Sequence, residues 1–187
     1  MLDAAGRLFL RDGFAATSIE AIAGTAGVSK RTFYARFADK EAVFLAVVQR
    51  LIGAWLAGFD AEVEGAPSLD AALLAAGRRM LAVALTPSAL SLHRLMVAEA
   101  GRFPELAEAL HDAGGRAGIE RLYCVLHAHR PDAGPAQLAF LAEQFQHLVL
   151  AGPQARAIGL GEGLSAEALD AWCKDSVGLF LRGLPTR

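Results

Sequence analysis

Apolar residues recur along this chain at helical intervals, and no segment reads as a strand hairpin or an internal repeat, so the pattern predicts helices throughout. Met1 leads straight into an amphipathic helix carrying Asp3 and Arg7. Ile19, Ile22, Ala23 and Ala26 then form a narrow apolar stripe. Thr17-Ser18-Ile19-Glu20 reads as its capping box, with the Thr17 hydroxyl accepting from Glu20 N–H and the Glu20 carboxylate accepting from Thr17 N–H. Gly27 stands where the chain must leave that helix with positive φ. Ser29 restarts it as an N-cap, with Val28 and Phe33 as a hydrophobic staple, and the second helix covers about Lys30 to Phe37. Asp39 caps a third, long helix from Lys40 to about Phe59.

The rest continues helix after helix, and each of the seven prolines falls where one should begin or end. Gly65-Ala66-Pro67 closes the long helix, and Ser68 opens the next, to about Leu85. Pro87-Ser88 starts another through Leu92, Leu95 and Met96. Pro104 suits a short helix ending near His111, followed by one from about Arg116 to His129. Pro135 opens a helix with Leu138, Leu141, Phe145 and Leu148 in series. Gly152 to Gly163, with Pro153 and four glycines, reads as loop. Ser165 caps the last helix, with Leu164 and Leu169 as its staple, and Gly183 and Pro185 end it. The expected fold class is all-α.

Charge singles out one stretch of this series. Two helices joined by so short a glycine turn must cross steeply, as in a helix-turn-helix. From Ser29 to Lys40 the chain carries Lys30, Arg31, Arg36 and Lys40 against Asp39 alone, a local charge of +3. Residues 1–50 have seven Lys/Arg and five Asp/Glu, net +2, whereas residues 51–187 have eleven and fifteen, net −4. An overall isoelectric point near 6.2 does not argue against DNA, because only the footprint must be basic. Lys30 and Arg31 can donate to guanine O6/N7. Thr32 can touch a thymine methyl or donate a hydrogen bond, and Arg36 suits a phosphate. Tyr34 can pack its ring into the hairpin while its hydroxyl reaches the DNA backbone. Lys40 sits in the first turn of its helix, against the macrodipole, which suggests an external anion such as phosphate. Phe33 and Phe37 fit the face that packs on Phe9, Phe14 and Ile22 and read as core.

At these residues the chain resembles the DNA-binding domain of the TetR family of bacterial one-component regulators. The resemblance runs without a gap over about residues 2–48 and rests on G-F-x-x-T-S, A-x-x-A-G-V-S and F-Y-x-x-F-x-x-K-E. It implies a helix-turn-helix domain over residues 1–48 and a helical effector-binding and dimerisation domain over 49–187. It also implies that Lys30–Phe37 reads bases while Thr17, Ser18, Tyr34 and Lys40 hold phosphates. Members usually carry an arm and a fuller first helix, often with basic residues, before the position of Leu2, whereas this sequence starts at Met1, and no minor-groove contact is assigned to such an arm. Further on, Arg94-Leu95, Glu99, Arg102-Phe103-Pro104-Glu105-Leu106 resembles a segment of the AefR-like subgroup, where Glu99 and Arg102 are spaced for an ion pair.

The last two long helices are apolar over wide arcs, including Phe140, Phe145 and Leu148 on one and Trp172, Leu179 and Phe180 on the other. So wide an arc asks for a second buried face. The resemblance implies a homodimer in which Phe140, Leu148, Trp172, Leu179 and Phe180 meet their mates in a four-helix bundle. Two recognition helices would then face a palindromic operator whose half-sites lie about 34–36 Å apart or a multiple of that. A small apolar or amphipathic effector is expected in a cavity among the helices of residues 50–150. Trp55, Phe59, Met80, His93, Met96, Tyr123 and Phe145 are the candidate lining.

Other chemistry finds little support. His127 and His129 point to different sides of a helix, His93, His111 and His147 are scattered, and no metal or cofactor is expected. Gly159 to Gly163 follows no strand and lacks a P-loop lysine. Cys124 and Cys173 read as buried small hydrophobes, with no disulfide framework. No nucleophile stands beside a base, so no enzyme is expected. Mean hydropathy is +0.35, yet the longest run without a formal charge, Met80–His93, has fourteen residues. A spanning helix needs about 20. With no signal peptide apparent, a cytoplasmic, ligand-responsive repressor is the expected reading. The alternatives are a helical interaction or small-molecule-binding module without specific DNA binding, and an enzyme that uses the cavity.

Overall fold

The structure, a computed structural model, describes residues 1–63, 65–102, 104, 108 and 112–184, and every side chain among them except those at 55, 56, 60, 61, 99, 113 and 114. All regular elements among these residues are helical: α1 Leu2–Asp12, α2 Ile19–Thr25, α3 Lys30–Tyr34, α4 Lys40–Leu56, α5 Phe59–Val63, α6 Leu69–Ala84, α7 Pro87–Glu99, α8 Ala117–His129, α9 Pro135–Ala157 and α10 Ala166–Gly183. A π-helical turn, Asp112–Arg116, leads into α8. The short helix expected from Pro104 to His111, and the Glu99–Arg102 pair, lie outside the described residues and side chains.

The chain divides into two compact units, one of residues 1–55 with 91–115 and one of 56–90 with 116–187. In the first, Phe9, Phe14 and Phe44 pack edge to face and stacked, with centroids 4.9–5.7 Å apart. Ile22, Phe33, Val43 and Val48 are fully buried with them. The boundary expected at residue 48 falls inside α4, which runs unbroken to Leu56. It does not reach Phe59, because Gly58 takes φ 84° and turns the chain into α5.

The second unit is built around Leu73, Leu122, Leu126, Leu138, Ala142, Phe145 and Val149, all fully buried. Ser68 and Ser165 cap α6 and α10 as expected, each hydroxyl accepting a backbone N–H three residues on. Asp170 on α10 pairs with Arg78 of α6 at 2.6 Å and with Lys174 at 2.7 Å.

The expected loop from Gly152 is helical instead: α9 continues through Pro153 to Ala157. Proline has no N–H for the carbonyl four residues earlier, which is that of Val149. The indole N–H of Trp172 donates to that same carbonyl at 3.0 Å, replacing the missing donor from a neighbouring helix. Gly152 makes this approach possible, since a Cβ there would lie 2.7 Å from the Trp172 ring. Close approach recurs at Gly77 on α6, where a Cβ would lie 2.7 Å from Cys173 Sγ. Burial raises the Cys173 pKa and keeps it a thiol. Cys124, by contrast, is exposed rather than buried.

Candidate nucleic-acid interface

The α2–α3 hairpin is fastened by its own side chains. Ser18, not Thr17, caps α2: its hydroxyl accepts from Ala21 N–H at 3.1 Å. Thr17 is buried, and its hydroxyl donates to the Gly13 carbonyl at 2.8 Å, tying the end of α1 to the start of α2. The expected capping box is therefore absent, and Glu20 turns elsewhere. Gly27 has φ 65°, as the turn demands. Ser29 accepts from Thr32 N–H at 3.1 Å and shares a 2.9 Å hydrogen bond with the Thr32 hydroxyl. Regular helix ends at Tyr34, and bonds from Arg36 and Phe37 N–H to the Phe33 carbonyl carry the turn onward to Phe37.

Of the five residues in α3 only Phe33 is buried, with Tyr34 and Phe37 rings against it at 5.5 and 5.8 Å. Lys30, Arg31, Thr32 and Tyr34 are exposed, as is Arg36 in the following turn, and the Tyr34 side chain stands 55% free. One short, capped helix and the turn after it thus present five polar or amphipathic side chains to solvent around a single anchor.

The cations differ in state. Lys30 is ion-paired with Glu20 across the hairpin; the pair raises the lysine pKa and lowers that of the glutamate. Among the described residues, Arg31 and Arg36 have no ion-pair partner. Lys40 donates to the Phe14 carbonyl at 2.9 Å and the Ala15 carbonyl at 3.4 Å, and stands 4.4 Å over the Phe14 ring. Its unfavourable place at the start of α4 is thus compensated within the fold, and no external anion is required to explain it. Asp39 caps α4 through Ala42 N–H at 2.7 Å. The Glu20–Lys30 pair was missed in sequence. Its only signal is two opposite charges ten residues apart across a glycine turn, and whether they meet depends on the hairpin angle.

The candidate effector residues fall in both units. Phe59, Met80 and Phe145 are buried in the core of the second unit, and Tyr123 packs partly buried against it. His93 and Met96 lie half-buried in the first unit. Trp55 lies outside the described side chains. Of the candidate dimer residues, Phe140 and Leu179 are exposed at 58% and 54%, and Leu148 is half-buried. Phe180 does not face outward: it is 7% exposed and packs edge-on against Phe145 at 5.0 Å. Trp172 is likewise engaged within its own chain, against Gly152 and the Val149 carbonyl. No group of three or more metal-ligating side chains occurs among the described residues, and no single helix there is long and apolar enough to cross a membrane.

Two family models match the chain: the bacterial regulatory proteins of the tetR family over residues 1–47, and the AefR-like transcriptional repressor C-terminal domain over residues 71–183. It is 49% identical over 47 residues to the uncharacterized HTH-type transcriptional regulator YerO of Bacillus subtilis, and 41% identical over 68 residues to the HTH-type transcriptional regulator EthR of Mycolicibacterium smegmatis. Those matches span 25% and 36% of this chain and only 16% and 31% of the relatives' lengths. Many solved structures match, among them two that cover 97% of this chain and 93% of their own. One is the flavonoid-responsive regulator FrrA, with 31% identity and TM-score 0.78. The other, from Mesorhizobium loti, is described as a TetR-family transcriptional regulator, with 26% identity and TM-score 0.79. With the helix-turn-helix at one end and the AefR-like domain over most of the remainder, the chain belongs to the TetR family of bacterial transcriptional regulators.

Proposed function

We propose that this regulator is a ligand-released repressor that reads duplex DNA with α3 and steadies itself on phosphates through the start of α2. The observation that carries the reading is the state of α3, anchored by Phe33 alone: its Arg31 side chain, with Arg36 in the following turn, is exposed and has no ion-pair partner among the described residues. Arg31 is the bidentate guanine donor, Thr32 the neighbouring base contact, and Arg36, Tyr34 and Ser18 reach phosphates. Thr17 contributes by fixing the α1–α2 turn, and Lys40 by holding the Phe14–Ala15 carbonyls against α4.

The protein acts as a cytoplasmic homodimer on a palindromic operator, with exposed Phe140 and Leu179 at the mutual surface. It needs no cofactor and catalyses no reaction. The effector is small and apolar or amphipathic, and likeness to a flavonoid-responsive regulator supports a hydroxylated aromatic as its class. Such a ligand acts by differential affinity, favouring the conformation that binds DNA less well. A footprint of the protein on the DNA beside its own gene tests the operator, the dimer and the release. Two related half-sites protected without effector, and exposed again with it, are expected. A footprint lacking a second half-site would overturn the dimer reading.

A further inference from the structure

The proposal that follows rests on the DNA-binding reading. Four cations lie between Ser29 and Lys40, yet the fold leaves only two of them unengaged. Lys40 is held by two carbonyls, and Lys30 by the Glu20 carboxylate, while Arg31 and Arg36 have no ion-pair partner among the described residues. Glu20 lies in the first turn of α2, where the helix macrodipole favours a carboxylate, and its bond to Lys30 lowers its pKa. The pair is solvent-facing, with side chains 55% and 61% exposed, and Lys30 directly precedes the exposed Arg31 in α3.

We propose that Glu20 is a specificity-setting positioning residue: it holds the Lys30 ammonium against the hairpin and withholds one cation from indiscriminate phosphate contact. Non-specific affinity grows with each cation that displaces a counterion from DNA, whereas sequence is read by directed donors to base edges. Removing Lys30 from the first class without touching Arg31 lowers background binding more than operator binding. The ratio between the two therefore rises.

The test compares two duplexes, one enriched from a random library by the wild-type protein and one of random sequence, each titrated over a range of salt. Glu20→Gln is expected to tighten binding to the random duplex roughly three- to tenfold and to steepen its salt dependence by about one displaced ion. The enriched duplex should gain less, so the ratio falls. Glu20→Asp keeps the charge but shortens the reach, and should move part of the way. In a Lys30→Gln background, Glu20→Gln should leave the salt slope unchanged. An equal steepening in that background would mean that Glu20 acts only as a repelling charge, and would overturn the proposal. An unchanged ratio in Glu20→Gln overturns it too, while leaving DNA recognition intact. A wild-type protein that enriches no sequence overturns both.

Discussion

The α2–α3 hairpin and the seam between α9 and α10 are held together in opposite ways. In the hairpin each helix start is fixed by a serine bonding three residues ahead, and a single buried ring, Phe33, anchors α3. In the seam a missing side chain at Gly152 admits the Trp172 indole, whose N–H serves a carbonyl that Pro153 cannot serve. The first arrangement leaves the Lys30 and Arg31 side chains out of the packing, so their chemistry can change without disturbing the fold. The second leaves nothing spare: glycine, proline and tryptophan each require the others. A surface built on local bonds can be altered one residue at a time, whereas a closely packed seam cannot.

The strongest way to break that contrast is to crowd the seam. Gly152→Val would drive a Cβ and two methyls into the Trp172 ring, which its hydrogen bond holds in place. Overpacking of this kind costs about 3 kcal/mol, and for a chain of this size the melting temperature should fall by roughly 6–12 °C. A melt within a degree of wild type would show that the seam yields easily.

Arg31→Ala probes the other side. Losing a bidentate base contact costs about 1–3 kcal/mol of binding, so affinity for a selected operator should fall by roughly one to two orders of magnitude. The melt should not move. A lowered melt would show that α3 is not free of the fold after all.

Trp172→Phe keeps the ring but removes the donor, leaving the Val149 carbonyl unpaired at a cost of about 1–3 kcal/mol. Pro153→Ala restores a backbone N–H to that carbonyl, so in its background the Trp172→Phe cost should shrink. Denaturant unfolding of the four proteins measures the coupling. Equal costs in both backgrounds would mean that the indole contributes by packing alone.

These contrasts also explain what could be read in advance. Ser29, Asp39, Ser68 and Ser165 were legible as caps because each bonds a backbone N–H only three residues on. Gly27 was legible because a helix must end before Ser29 begins another. At Thr17 and Ser18 two hydroxyls stand side by side, and the choice between them was settled by burial of Thr17 against Gly13, which local spacing does not encode. Pro153 read as a helix end because its rescue comes from a tryptophan in the next helix. Phe180 read as an outward face because a wide apolar arc does not say whether its partner is Phe145 of the same chain or a second chain.

The smallest effect divides the regions most finely. Ser29→Ala and Ser165→Ala remove the same kind of cap, a hydroxyl accepting from an N–H three residues ahead, and each should cost its helix about 1 kcal/mol. The two helices would respond differently. α10 is fixed along its length by Cys173, Ser176, Val177 and Phe180, so its cap loss should appear in the global melt and leave DNA affinity unchanged. α3 has Phe33 alone, so its loss should appear as local fraying. When only a fraction of the molecules hold a formed α3, the apparent dissociation constant rises by the inverse of that fraction. Ser29→Ala should therefore weaken operator binding severalfold while barely moving the melt. Amide hydrogen exchange at Thr32 and Phe33 locates the change. If both substitutions lower the melt alike and neither touches DNA binding, α3 is as firmly built into the fold as α10, and the contrast between the two regions fails.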